Sequence, residues 1–173
     1  MWRLLLFVLL SARVRVFATN AETQPQPNVR SVKFYRYFHS GFVDHFYTSN
    51  FSELGNGKDG WKLDRSDFIY PKQRLGTVPL YRYYSGGKRD HFYTTDATEN
   101  GVTDYGKKGN DGYKSEGIAG YCYSYPHCGT VALYRRWSKG AKDHFYTTNA
   151  TEAIQVLQQG YIDEDVACYL PKR

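Results

Sequence analysis

The chain has 173 residues, 41% hydrophobic, 23% charged and 17% aromatic, enough to bury one core and hardly two. Its 17 Tyr and 10 Phe against a single Met, with 16 Gly, favour strands over helices and exclude a disordered chain, whose composition is aromatic-poor. The formal charge of +6 falls to 20 − 17 = +3 once the first eighteen residues are set aside, since they hold Arg3, Arg13 and Arg15 and no acid; what remains has no basic cluster or stripe, which excludes nucleic acid as a partner.

In chain order, Met1-Trp2-Arg3 followed by the apolar run Leu4 to Leu10 and a small-residue cut site after Ala18 predicts a signal peptide over residues 1–18, although Arg13 and Arg15 are unusual in that role. Residues 19–31 are polar and Pro-containing and read as a flexible linker. After signal removal no apolar run reaches spanning length, so the expectation is a secreted, extracellular protein with no membrane span.

Residues 32–173 then contain one unit three times. Asp44-His45-Phe46-Tyr47-Thr48 returns at Asp90 to Thr94 and at Asp143 to Thr147. Upstream lie Phe34-Tyr35-Arg36, Leu80-Tyr81-Arg82 and Leu133-Tyr134-Arg135; downstream come Glu53, Glu99 and Glu152, then Gly60-Trp61, Gly112-Tyr113 and Gly160-Tyr161. The repeats run 32–78, 79–131 and 132–173, with a Gly/Lys-rich insertion at Gly101 to Gly112 in the second. Each unit predicts about four short strands: the Tyr-Arg segment, the His-Phe-Tyr-Thr segment, one at the Gly-aromatic pair and a closing segment such as Ile118 to Tyr123. Three four-stranded repeats in one all-β domain predict a β-trefoil, because a propeller usually has four or more blades.

After the second strand, Asn50-Phe51-Ser52-Glu53, Asp96-Ala97-Thr98-Glu99 and Asn149-Ala150-Thr151-Glu152 have capping-box spacing, and each predicts a short helical turn. Asn50 and Asn149 also head N-glycosylation sequons, and an exposed turn allows both roles. Cys122 and Cys128 flank a five-residue span containing Pro126, so local closure predicts a Cys122–Cys128 disulfide with Cys168 unpaired; the alternative leaves Cys122 and Cys168 as small buried residues in equivalent strands.

Chemistry narrows around the Asp-His pair. No Gly-x-Ser-x-Gly, His-Glu-x-x-His or phosphate loop accompanies it, so the protein is read as no enzyme and as needing no cofactor. Three imidazoles, His45, His91 and His144, suit zinc, but a repeated His is more often bonded within the fold, and no metal is expected. Strand alternation assigns Phe46, Phe92 and Phe145 to the core. A carboxylate, an imidazole and an aromatic face are what sugar binding requires, which makes Asp44/His45/Tyr47, Asp90/His91/Tyr93 and Asp143/His144/Tyr146 the candidate ligand sites. The same repetition follows if these residues only build the scaffold, and both readings stand. Arg36, Arg82 and Arg135 either clamp an acidic glycan or satisfy strand-end carbonyls; Trp61, Tyr113 and Tyr161 are either stacking platforms or plugs.

The chain resembles a family of secreted proteins with tandem Tyr-Arg-Tyr…Asp-His-Phe-Tyr-Thr-Thr repeats, joined here by Gly76 to Arg82 and including Gly117-Ile118-Ala119-Gly120-Tyr121. The match covers about residues 32–170. That family is a domain of unknown function found beside secreted glycosidases or peptidases, and the resemblance implies a β-trefoil-like extracellular module that binds carbohydrate. Asp67 to Tyr70 and Arg136-Trp137 depart from its pattern. The expected function is a secreted, non-catalytic, lectin-like module with up to three sites and glycans or glycoproteins as partners. The alternative is a structural, matrix or protease-inhibitor-like module that binds through its unique loops.

Overall fold

A computed structural model of the protein describes residues 30–172; the expected signal peptide and the linker up to residue 29 lie outside the described residues. The strands are β1 (Val32–His39), β2 (Asp44–Thr48), β3 (Trp61–Ile69), β4 (Thr77–Ser85), β5 (Asp90–Thr94), β6 (Lys114–Tyr123), β7 (Thr130–Ser138), β8 (Asp143–Thr147) and β9 (Ile162–Pro171). The all-β expectation holds. The four-stranded unit does not: among the described residues each repeat has three strands, because the Gly-aromatic segment and the closing segment are one continuous strand (β3, β6 or β9).

Each repeat is a three-stranded antiparallel unit with its first strand in the middle, giving one sheet of order β2-β1-β3 and a second of order β5-β4-β6-β9-β7-β8. These pairings establish two antiparallel sheets and do not show a β-trefoil. Each long third strand carries a bulge against its partner, at Asp64 in β3, at Glu116 and Gly117 in β6 and at Glu164 and Asp165 in β9. A bulge adds a residue to one strand, bends it and re-aims a side chain. The hairpins entering β2, β5 and β8 share another local feature, a left-handed residue just before the Asp: Val43 (φ 55°), Arg89 (φ 59°) and Lys142 (φ 58°).

The repeats close on one another through β2, β5 and β8. Tyr93 Oη accepts the Tyr47 N–H and donates to the Tyr47 carbonyl, both at 2.8 Å. Tyr146 does the same to Tyr93, and Tyr47 to Tyr146, all at 2.7–2.8 Å, so three buried hydroxyls complete a ring of main-chain bonds about a pseudo-threefold axis. The three rings meet edge to face at 5.4–5.5 Å between centroids, the favoured aromatic geometry. Core residues Phe34, Leu80, Leu133, Ile69 and Leu170 surround this triangle. Phe46, Phe92 and Phe145 are buried as expected, but the axis itself is built of tyrosine.

The disulfide joins Cys122 to Cys168, with Cα atoms 6.1 Å apart, and Cys128 is a free, exposed thiol; the expected Cys122–Cys128 pairing is corrected. Loop closure alone favoured the local partner, whereas the β6–β9 pairing at Tyr123 and Tyr169 brings the distant one alongside. The bridge lies between repeats two and three, and the equivalent positions between the first two repeats are held by Ile69 and Gly120. A Cβ on Gly120 would lie 2.5 Å from Ile69 Cδ1, so that junction is filled by an isoleucine against a glycine instead of by a covalent bond.

Candidate functional site

Asp44, Asp90 and Asp143 open the innermost strands at the hairpin end and are at most 1% exposed. Each takes a neighbouring repeat's histidine by both its main-chain and its ring N–H: His91 on Asp44 (3.0 and 2.7 Å), His144 on Asp90 (2.7 and 2.6 Å) and His45 on Asp143 (2.9 and 2.8 Å). A carboxylate only accepts, so each Nδ1 carries the proton. Tyr113 and Tyr161 add hydroxyl donors to Asp90 and Asp143, while Trp61, at the matching sequence position, packs edge-on against His91, the donor to Asp44. The three carboxylates lie within 4.8 Å of one another. Donors from the adjacent repeat offset their repulsion.

The nine candidate ligand residues therefore divide. Asp44, Asp90, Asp143, Tyr47, Tyr93 and Tyr146 are buried and bonded across the repeat junctions, whereas His45, His91 and His144 turn their other faces to three clefts, one at each junction. The clefts have volumes of about 320 Å³ between repeats one and two, 270 Å³ between two and three and 910 Å³ between three and one. Phe46, Phe92 and Phe145 line their floors. A guanidinium lies over each floor ring, Arg82, Arg135 and Arg36 at 4.9, 5.4 and 5.0 Å from the centroid. Tyr84, Trp137 and Phe38 pack on the histidines at 4.5, 4.3 and 4.7 Å.

The arginines bridge repeats and do not satisfy strand-end carbonyls as their main partners. Arg82 forms a bidentate pair with Glu53 (3.2 and 3.0 Å), Arg135 with Glu99 (3.0 and 3.0 Å) and Arg36 with Glu152 (3.0 and 2.8 Å). Such fork-to-fork pairing fixes geometry as well as charge. A second acid meets each Nε: Glu116 at 2.9 Å, Glu164 at 3.0 Å and Asp64 at 2.6 Å. These three acids sit on the bulges, which aim them into the clefts. The sequence reading missed them; the matched offset of Asp64, Glu116 and Glu164 in the three third strands was the available signal.

The helical turns supply the other acid. Asn50, Asp96 and Asn149 cap the turns Phe51–Glu53, α1 (Ala97–Asn100) and α2 (Ala150–Gln155) by accepting from the N–H two residues on, at 3.1, 2.8 and 3.0 Å. The capping-box Glu does not reach back to the cap. Thr48, Thr94 and Thr147 accept the cap N–H instead, and their hydroxyls bond Glu53, Glu99 and Glu152. Burial opposes ionisation of these glutamates, but the neighbouring arginine and threonine bonds outweigh it and hold all three below the usual carboxylate range. Burial likewise opposes the arginine charge, which the same carboxylates restore and strengthen.

Three inter-repeat clefts, each pairing aromatic surface with ionised acids, an arginine and an imidazole, define an all-β domain with pseudo-threefold sites. The chain belongs to the family described as a domain of unknown function, DUF5648, which matches residues 33–171. No curated protein and no solved structure matches the chain. No helix among the described residues is long and apolar enough to cross a membrane.

Proposed function

We propose that the protein is a secreted, non-catalytic carbohydrate-binding module whose sites are the three clefts between repeats. The observation that carries this reading is the equivalence of the clefts: each sets an aromatic floor and wall beside carboxylates and an imidazole. Aromatic rings cover the apolar face of a pyranose, and carboxylates accept its hydroxyls. A glycosidase acid needs a raised carboxyl pKa, whereas Glu53, Glu99 and Glu152 are lowered by their arginines, which favours binding over hydrolysis. The leader-like segment at residues 1–18 and the disulfide support an extracellular setting, and Asn50 and Asn149 are the glycan acceptors of this reading.

Three weak sites on one scaffold favour a multivalent glycan surface over a free sugar. The test is a glycan array with the full chain, alongside Trp137→Ala. Retention on clustered glycans, reduced by the variant with its circular dichroism intact, is expected; a blank array overturns the proposal, and a blank array with inhibition in a protease panel replaces it. That second outcome belongs to a protein-interaction module, a reading favoured by Tyr105 (80% exposed) and Tyr125 (52% exposed) on the loops unique to the second repeat.

A further inference from the structure

The three clefts are not identical, and the difference sits one residue after the repeated glutamate. Leu54 follows Glu53 and Ala153 follows Glu152, but Asn100 follows Glu99. Asn100 is 1% exposed, lines the cleft between the second and third repeats, and neither its Nδ2 nor its Oδ1 has a hydrogen-bond partner among the described residues. Burying an unpaired amide costs about 1–3 kcal/mol, and apolar side chains occupy the equivalent positions in the other two repeats, so the architecture does not require the amide.

The insertion of the second repeat encloses this side chain. The chain passes so close at Gly109 that a Cβ there would lie 2.7 Å from Asn100 Nδ2 and closer still to the Asn100 carbonyl, so only glycine fits. Beyond it, the Lys88 ammonium lies 4.6 Å from the Tyr113 ring centroid and 3.7 Å from the Asp111 carboxylate. The cleft measures about 270 Å³, close to the 320 Å³ between repeats one and two and well below the 910 Å³ between three and one. Small-molecule sites run from roughly 300 to 1,000 Å³, so this one is of single-ring size.

We infer that the cleft between repeats two and three is the monosaccharide-selective site, in which the Asn100 amide recognises two adjacent ring hydroxyls of one pyranose. The inference rests on the carbohydrate-binding reading above. An amide presents one donor and one acceptor side by side, and adjacent hydroxyls answer it by accepting from Nδ2 and donating to Oδ1. Trp137 offers ring surface to the sugar's C–H face, and Glu99 and Glu164 line the same cleft as acceptors.

The experiment titrates the full chain with methyl hexopyranosides and their single-deoxy analogues by calorimetry, and repeats the titration with Asn100→Leu. One hexoside binding the wild type, with roughly tenfold or greater weakening when either adjacent hydroxyl is deleted or when Asn100 becomes leucine, is expected. Array retention of the wild type with no monosaccharide distinguished, or with affinities unchanged by Asn100→Leu, overturns this inference and leaves the broader proposal standing. A blank array removes both. Should Asn100→Leu fold poorly, the deoxy series on the unaltered protein decides alone.

Discussion

The Asp44 carboxylate of the first repeat holds both the main-chain and the ring N–H of His91 in the second, at 3.0 and 2.7 Å. Because the same bond runs from repeat three to two and from one to three, each unit is completed only by its neighbour. A single repeat would leave a buried carboxylate without its donors, which ties folding of the three units into one event.

Replacing Asp90 by alanine tests that closure. The change strips partners from the His144 main-chain N–H, its ring N–H and the Tyr113 hydroxyl, all buried. A loss of about 3–5 kcal/mol in urea-induced unfolding is expected. A loss under about 1 kcal/mol would mean that the Asp-His bonds do not hold the repeats together.

Peptide mapping without reductant is expected to recover Cys122 joined to Cys168, and a thiol reagent is expected to label Cys128 in the native protein. Replacing both bridged cysteines by alanine should cost about 2–5 kcal/mol, since the bridge closes a loop with sequence separation 46. A Cys122–Cys128 peptide would contradict the strand pairing of β6 with β9.

Acid should loosen the junctions. Glu53, Glu99 and Glu152 have folded pKa values below their unfolded values, so their contribution is fully present above the unfolded carboxylate range of about 4.3. It is lost as pH falls through the lowered folded values. Thermal unfolding measured across this window is expected to show a falling midpoint, and Arg82→Met should flatten that dependence by removing the partner that lowers Glu53.

Alkali acts in the opposite sense. Burial pushes Tyr47, Tyr93 and Tyr146 well above the ordinary phenol value and Tyr83 up to about 12. Their phenol forms contribute stability that is present below about pH 10 and lost as pH rises through the folded values. Ultraviolet titration should therefore show a class of tyrosines that ionise only with cooperative unfolding. Ionisation of all 17 near pH 10 with the fold intact would contradict the tyrosine ring.

Periodicity made the repeats, the strand class and the capped turns legible, because these depend on residues adjacent in sequence. Asn50, Asp96 and Asn149 cap as their spacing suggests. Alternation also marked Phe46 as buried, but it could not say that Tyr47, on the opposite face, points to the pseudo-axis where three copies meet. Both faces of the inner strand are covered, so a two-sided pattern carried no hint of which side was central.

The sequence by itself determined that one aromatic-rich β unit occurs three times and that each copy brings the same Asp, His, Tyr, Arg and Glu. Only the tertiary structure decided that each of these residues is satisfied by a different repeat, that the third strand runs unbroken through a bulge, and that Cys168 outcompetes Cys128. The physical reason is the same in all three cases. Local spacing fixes which face a side chain takes, while its partner is set by which strands pack side by side, and those strands lie roughly one repeat apart in the chain.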